Sequence, residues 1–131
     1  MQRGLMLGDK SAAAVLAVKD MAGAKKFYEE TLGLKKAGND EEWGTMYKSG
    51  ESMLLVYPSE FAGTNKATAA TWGVGEDFDR IIEDLRGKGV KFETFDTPGS
   101  EWKDDVNVMG DMKAVWFKDP DGNILNIVNQ M

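Results

Sequence analysis

The chain has 131 residues, 42% of them hydrophobic, and a formal net charge of -6, a length that suits one compact domain or two small halves sharing a core. It holds no histidine and no cysteine, which excludes imidazole bases, Ser-His-Asp triads, His-ligated metals, thiolate nucleophiles, disulfides and zinc–thiolate sites. Lys and Arg never cluster beyond an adjacent pair, and no apolar run is long enough to span a bilayer, so neither nucleic acid nor membrane is an expected partner. Asp9 and Lys10 interrupt the N-terminal apolar stretch, so no signal peptide is expected and the cytoplasm is the default location.

Taken in chain order, residues 12–18 (AAAVLAV) read as a strand closed by Lys19-Asp20. Asp20 is placed as the N-cap of a helix whose buried face carries Ala24, Phe27, Tyr28 and Thr31–Leu32, with Gly33 as its C-cap. Strands follow over about 34–38, 43–48 and 52–57, with Ser49-Gly50 as a hairpin turn and Pro58 as a stop. After a loop the pattern returns. Residues 67–74 read as a strand, Glu76-Asp77 as a cap, and Phe78, Ile81, Ile82 and Leu85 as the stripe of a helix ended by Gly89. Further strands are expected at about 90–95, 105–109, 112–118 and 123–129, the last two joined by the turn Asp119-Pro120-Asp121-Gly122.

Val18, Gly33 and Leu34 precede Val74, Gly89 and Val90 by one common spacing, so strand end, helix and next strand start share it, although the apolar faces of the two helices do not superpose at that offset. The terminal hairpins lie further apart, which places the extra residues of the second half in Asp96–Asp111. The chain therefore reads as one domain, 1–131, of two βαβββ modules: the first over about 11–58, a linker over 59–66, and the second over about 67–130.

Asp20 before the first helix, FYEETLGL at 27–34, WGVGEDFD at 72–79, LRGKGV at 85–90 and WFKDPDGNIL at 116–125 carry a resemblance. In order and spacing they resemble the vicinal oxygen chelate superfamily, the glyoxalase/bleomycin resistance protein/dioxygenase proteins. The resemblance implies an α+β fold: two βαβββ modules whose curved mixed sheet forms a half-open cup, helices on the outer face, a ligand in the cup, and a homodimer. Metal-dependent members hold an ion through His or Glu on four strands. Those positions carry over here to Ala13, Leu55, Ala69 and Asn126, which offer two methyl groups, an isobutyl group and a neutral amide. A divalent cation needs charged oxygen or imidazole donors to replace its water shell, so no metal and no other cofactor is expected. Asp104, Asp105 and Asp111 read as a solvated loop.

If those four positions face the cup, strand alternation brings Val15, Ala17, Met53, Tyr57, Thr71, Gly73, Ile124 and Val128 to the same side. Leu16, Val18, Leu54, Val56, Trp72, Leu125 and Ile127 then pack beneath the helices. The cup lining is expected to comprise Ala13, Met53, Leu55, Tyr57, Ala69, Thr71, Trp102 and Asn126, mostly apolar with few polar points. Trp43 and Trp102 sit in polar stretches and read either as edge packing or a dimer contact, or as an aromatic wall for a flat or cationic ligand. Trp116 is open to either face, and Tyr47 and Lys113 are further possible site residues whose commoner alternative is an exposed strand position.

The function expected from this set is metal-free binding or sequestration of an organic, cationic or aromatic ligand, of the glyoxalase/bleomycin-resistance type. The alternative is an enzyme of the same superfamily, a lyase, isomerase or glyoxalase-like catalyst with a non-standard site.

Overall fold

The computed structural model describes residues 6–95 and 99–130. β1 (Ala14–Val18) leads into α1 (Met21–Lys26), whose first turn is closed by the Asp20 carboxylate accepting the Gly23 N–H at 3.2 Å. The helix expected to run to Leu32 widens instead into a π turn over Phe27–Thr31, with Leu32 N–H donating to the Phe27 carbonyl at 2.9 Å. Gly33, at a φ of 77°, then reverses the chain. A short β2 (Lys35–Lys36), β3 (Thr45–Ser49) and β4 (Ser52–Pro58) complete the first half. They form a sheet in the order β1-β4-β3-β2, with β1 parallel to β4.

The second half repeats this order with one departure. β5 (Thr68–Gly73) passes through a 3-10 turn, Gly75–Asp77, into α2 (Phe78–Gly87). Asp77 caps no backbone N–H there; its carboxylate pairs with Arg80. Phe78, Ile82 and Leu85 are buried as their spacing predicts, and Ile81 is half-buried. The strand expected over 90–95 reduces to a single bridge between Glu93 and Trp116. In its place an unanticipated β6 (Glu101–Lys103) pairs with β7 (Val106–Met109) inside the extra segment, of which residues 96–98 lie outside the description. The physical reason lies on β8 (Met112–Lys118): β7 takes its edge from Met112 to Ala114, leaving only Trp116 for Glu93. Asp104 and Asp105, at φ 50° and 70°, form the two-residue turn between β6 and β7. With β9 (Ile124–Val128) the second sheet runs β5-β9-β8-β7-β6.

β1 and β5 lie side by side where the two sheets meet, and both helices cover one face of the resulting curved surface. Beneath them Leu16, Val18, Leu54, Val56, Leu125 and Ile127 are buried, and Trp72 packs half-buried against them, as alternation along the strands requires. Tyr28, Tyr47, Phe92 and Phe117 extend this core, the two tyrosine rings lying 6.3 Å apart.

One polar cluster crosses the core. The Asp119 carboxylate, 4% exposed, accepts from the Tyr28 hydroxyl at 2.7 Å and the Asn123 side-chain amide at 2.8 Å. It also accepts the backbone N–H groups of Asn123 and Asp121, at 2.8 and 3.0 Å. The Asn123 amide donates in addition to the Ala17 carbonyl at 2.7 Å, and the Asp121 carboxylate takes the Lys19 N–H at 3.1 Å. The β8–β9 turn of the second module is thereby bonded to the helix and first strand of the first. The loop after β4 also closes on it: a Cβ on Gly63 would stand 2.2 Å from the Asp121 carbonyl oxygen. Burial, and then the Asp119 charge, push the Tyr28 hydroxyl far up, so it stays a donor at every ordinary pH.

A second clamp sits outside. The Asp40 carboxylate takes hydrogen bonds from Lys25 on α1, Lys36 on β2 and the Thr45 hydroxyl on β3, which lower it from 3.8 to about 2.

Two outcomes are expected. Tyr28→Phe leaves Asp119 short of one donor and costs about 1–2 kcal/mol, whereas Asp119→Ala strands Tyr28 and Asn123 together and costs about 3 kcal/mol or more. Urea denaturation with an unchanged m value checks both, and equal losses would show that the cluster is not centred on Asp119. Asp40 has a folded value below its unfolded one, so its contribution is complete above about pH 4 and is lost as pH falls toward 2. Asp40→Asn should therefore flatten the fall of the urea midpoint between pH 5 and 2; an unaltered slope would exonerate the clamp.

Candidate functional site

The face away from the helices carries the positions that the sequence points to. Register assigns them, since residues paired across a ladder share a face. On the first sheet Ala17 pairs with Tyr57, Val15 with Leu55, and Met46 with Leu55. These residues, with Met53 and Lys48, form the open side; Val15 is 54% exposed, while Met53, Leu55 and Tyr57 are half-buried. Ala13 stands exposed one residue before β1. On the second sheet Thr71 pairs with Asn126, Asn126 with Trp116, Ala114 with Asn107, and Asn107 with Trp102. Trp116 and Trp102 thus fall on one face, their ring centroids 6.2 Å apart, and Phe95 meets Trp116 edge-on at 5.6 Å. An aromatic wall results, built on β8 and the extra hairpin.

The base of this face is polar at one point. The Thr71 hydroxyl donates to the Asn126 side-chain oxygen at 2.5 Å, and the Asn126 amide nitrogen donates to the Val115 carbonyl at 3.0 Å. Asn126, 7% exposed, is thereby held by neighbours on both ends of its amide. Thr71 is left with lone pairs toward the open face, and the half-buried Tyr57 phenol adds a second polar group there.

Three expected positions differ. Tyr47 lies on the opposite face, because its ladder partner is the core residue Leu54. It is fully buried, with its hydroxyl donating to Glu29 at 2.8 Å, and burial followed by that bond pushes the phenol up. Lys113 shares the parity of Val115 and reaches over the helix side, pairing with Asp79 at 3.1 Å above the Phe78 ring. Neither residue faces the cup. Ala69 sits where the β5–β9 register shifts between Thr68 and Ala70, half-buried and packed against the core. That bulge turns Thr68 to the open side, where its hydroxyl accepts the Trp116 indole N–H at 3.2 Å. Strict alternation from Thr71 would put Thr68 on the core face instead. Phe95 and Asn107 were missed as well; the pairing of β7 with β8 is the signal that finds Asn107.

Trp43, 57% exposed, stands in the turn bridged by Glu41 and Gly44, and among the described residues it meets no other ring. Trp72 belongs to the core face, its indole N–H donating to the Ser49 hydroxyl at 2.9 Å.

The family metal does not fit this chain. Ala13 and Leu55 offer hydrocarbon, Ala69 is taken into a bulge, and the one oxygen, that of Asn126, already accepts a hydroxyl proton. Among the described residues no three Asp or Glu side chains gather as a metal site, and no helix is long and apolar enough to cross a membrane.

Comparison with known proteins agrees with the fold. The family model for the Glyoxalase/Bleomycin resistance protein/Dioxygenase superfamily matches residues 10–127. The uncharacterised protein YraH of Bacillus subtilis is 25% identical, covering 88% of this chain and 94% of its own. A glyoxalase family protein of Enterococcus faecalis superposes with a TM-score of 0.69 at 20% identity, over 94% of this chain and 99% of its own. The fosfomycin resistance protein FosX of Listeria monocytogenes gives 0.69 at 14% identity, over 100% of this chain and 94% of its own. The chain belongs to the glyoxalase/bleomycin resistance protein/dioxygenase superfamily, with the four metal-ligand positions not retained.

Proposed function

We propose that this protein binds and sequesters a small organic molecule on its open face, without a metal, and that the ligand is flat and aromatic or cationic. One observation carries the reading. The face on which the family would hold an ion here lacks donors for it and instead presents a wall of Trp102, Trp116 and Phe95 over an apolar floor. Aromatic rings at such spacing offer both stacking area and a negative π face, so a planar cation gains on both counts. The net charge of -6 draws a cation toward the molecule at low salt, where screening is weakest. Sequestration needs no acid, base or nucleophile, which suits a face whose polar groups are chiefly amides and hydroxyls, those of Asn107, Asn126, Thr68, Thr71 and Tyr57, with Lys48 exposed on the first sheet.

Proflavine, a planar aromatic cation, is a suitable probe. It is expected to quench the tryptophan fluorescence equally with and without EDTA. Trp102→Ala and Trp116→Ala should each weaken binding by about 10-fold, the loss of one stacking face, while Trp43→Ala leaves it unchanged. Binding or activity abolished by EDTA would overturn the metal-free reading and favour an enzyme with a non-standard metal site. Equal quenching in all three variants would overturn the aromatic wall.

A further inference from the structure

The opposite face holds a second opening. Between α2 and the segment that follows the π turn, a groove of about 230 Å³ descends, walled by Leu32, Leu34, Ile81 and Leu85 and floored by Trp72 and Ile127. It lies on the helix side of the sheet, separated from the open face by the sheet's thickness. Both modules build it: Leu32, Leu34 and Ser49 come from the first, the remaining walls from the second.

Among the described residues, two polar side chains line this groove, Ser49 and Asp84. Asp84 is paired with Lys88 at 3.0 Å one helical turn further on, so it offers no free charge. The Ser49 hydroxyl accepts the Trp72 indole N–H at 2.9 Å, and among the described residues it donates to nothing. Its proton is therefore available to an occupant. A buried apolar cavity of about 150 Å³ takes up benzene, so this volume suits one ring with a short substituent. Burying an unpaired charge among these side chains is costly, which selects a neutral molecule.

We propose that the groove beside α2 is a second ligand site, independent of the open face, for a small neutral cyclic molecule bearing one hydrogen-bond acceptor. Trp72 and Ile127 form the bed for the ring, and Ser49 donates to the acceptor while continuing to receive the Trp72 N–H. Because its walls come from both modules, an occupant favours the state in which the modules are docked, and it raises stability in proportion to its saturation.

Acetophenone and toluene make a matched pair, alike in ring but differing in the carbonyl acceptor. The experiment is a titration of the full chain at millimolar probe, followed by nuclear magnetic resonance of indole N–H and methyl groups. Both probes are expected to shift the Trp72 indole N–H and the methyls of Leu34 and Ile81, leaving the Trp116 indole N–H still. Acetophenone should bind about 5-fold tighter than toluene, the worth of one neutral hydrogen bond. Ser49→Ala should erase that preference without weakening toluene. Leu34→Phe, which fills the groove, should abolish both shifts while proflavine binding persists. The proposal is overturned by an absence of shifts at Trp72, by shifts confined to Trp116, or by an acetophenone preference that survives Ser49→Ala. None of those results touches the reading of the open face, which stands or falls on proflavine.

Discussion

The buried carboxylate of Asp119 is the constraint on which the rest of this structure depends. A charge at that depth persists only when every lone pair is met, and four donors meet it: a phenol, a side-chain amide and two backbone N–H groups. Three of the four come from the β8–β9 turn itself, so the turn is rigid before it touches anything else. The fourth, Tyr28, belongs to the first module. Through it, and through the bond from Asn123 to the Ala17 carbonyl, the second module grips both the first helix and the first strand. β1 and β5 share no ladder, so side-chain packing and this polar tie hold the seam between the sheets. The placement of every residue on the open face follows from that seam.

The two faces then divide the chain's chemistry. On the helix side, polar groups pair with one another: Tyr47 with Glu29, Trp72 with Ser49, Lys113 with Asp79. On the open side the polar atoms are few, and Asn126 is already locked between Thr71 and Val115. A metal at the family positions would find one neutral oxygen, already accepting the Thr71 proton, and no charged donor to replace its water shell. The face is left to hydrocarbon and aromatic rings.

How much of this was legible in the sequence depends on how far each residue acts. Asp20, Gly33 and the stripe Phe78–Ile82–Leu85 work within a turn or two, and their spacing alone placed them. Strand alternation separated Leu16, Val18, Leu54 and Val56 from their outward neighbours, because one buried face imposes a period of two. Asp119 and Gly122 were legible as a turn, but the partnership with Tyr28 spans 91 positions and leaves no local trace. Parity also fails where a ladder is irregular. The register shift beside Ala69 turned Thr68 outward, and Tyr47 could be placed only once Leu54 was known to face it. The segment 90–95 had strand composition, yet composition cannot tell that β7 already holds most of the edge it would need.

That competition for one edge also explains where the site is built. The modules match in helix, parallel pair and antiparallel neighbour, and the first has β2 on the outer edge of β3. In the second, the added hairpin β6–β7 takes most of the corresponding edge and carries Asn107 and Trp102 to the open face. Its two aspartates in left-handed conformation close the turn, and the Arg86 guanidinium of α2 donates to the Asp104 carbonyl, fixing the hairpin to the body. Trp102 is therefore held by a strand ladder on one side and by its contact with Trp116 on the other. An aromatic group so placed loses little conformational freedom when a flat molecule stacks upon it, which is the condition for a wall that binds. The half of the fold that departs from the repeat supplies the aromatic wall, and the half that keeps to it supplies the frame.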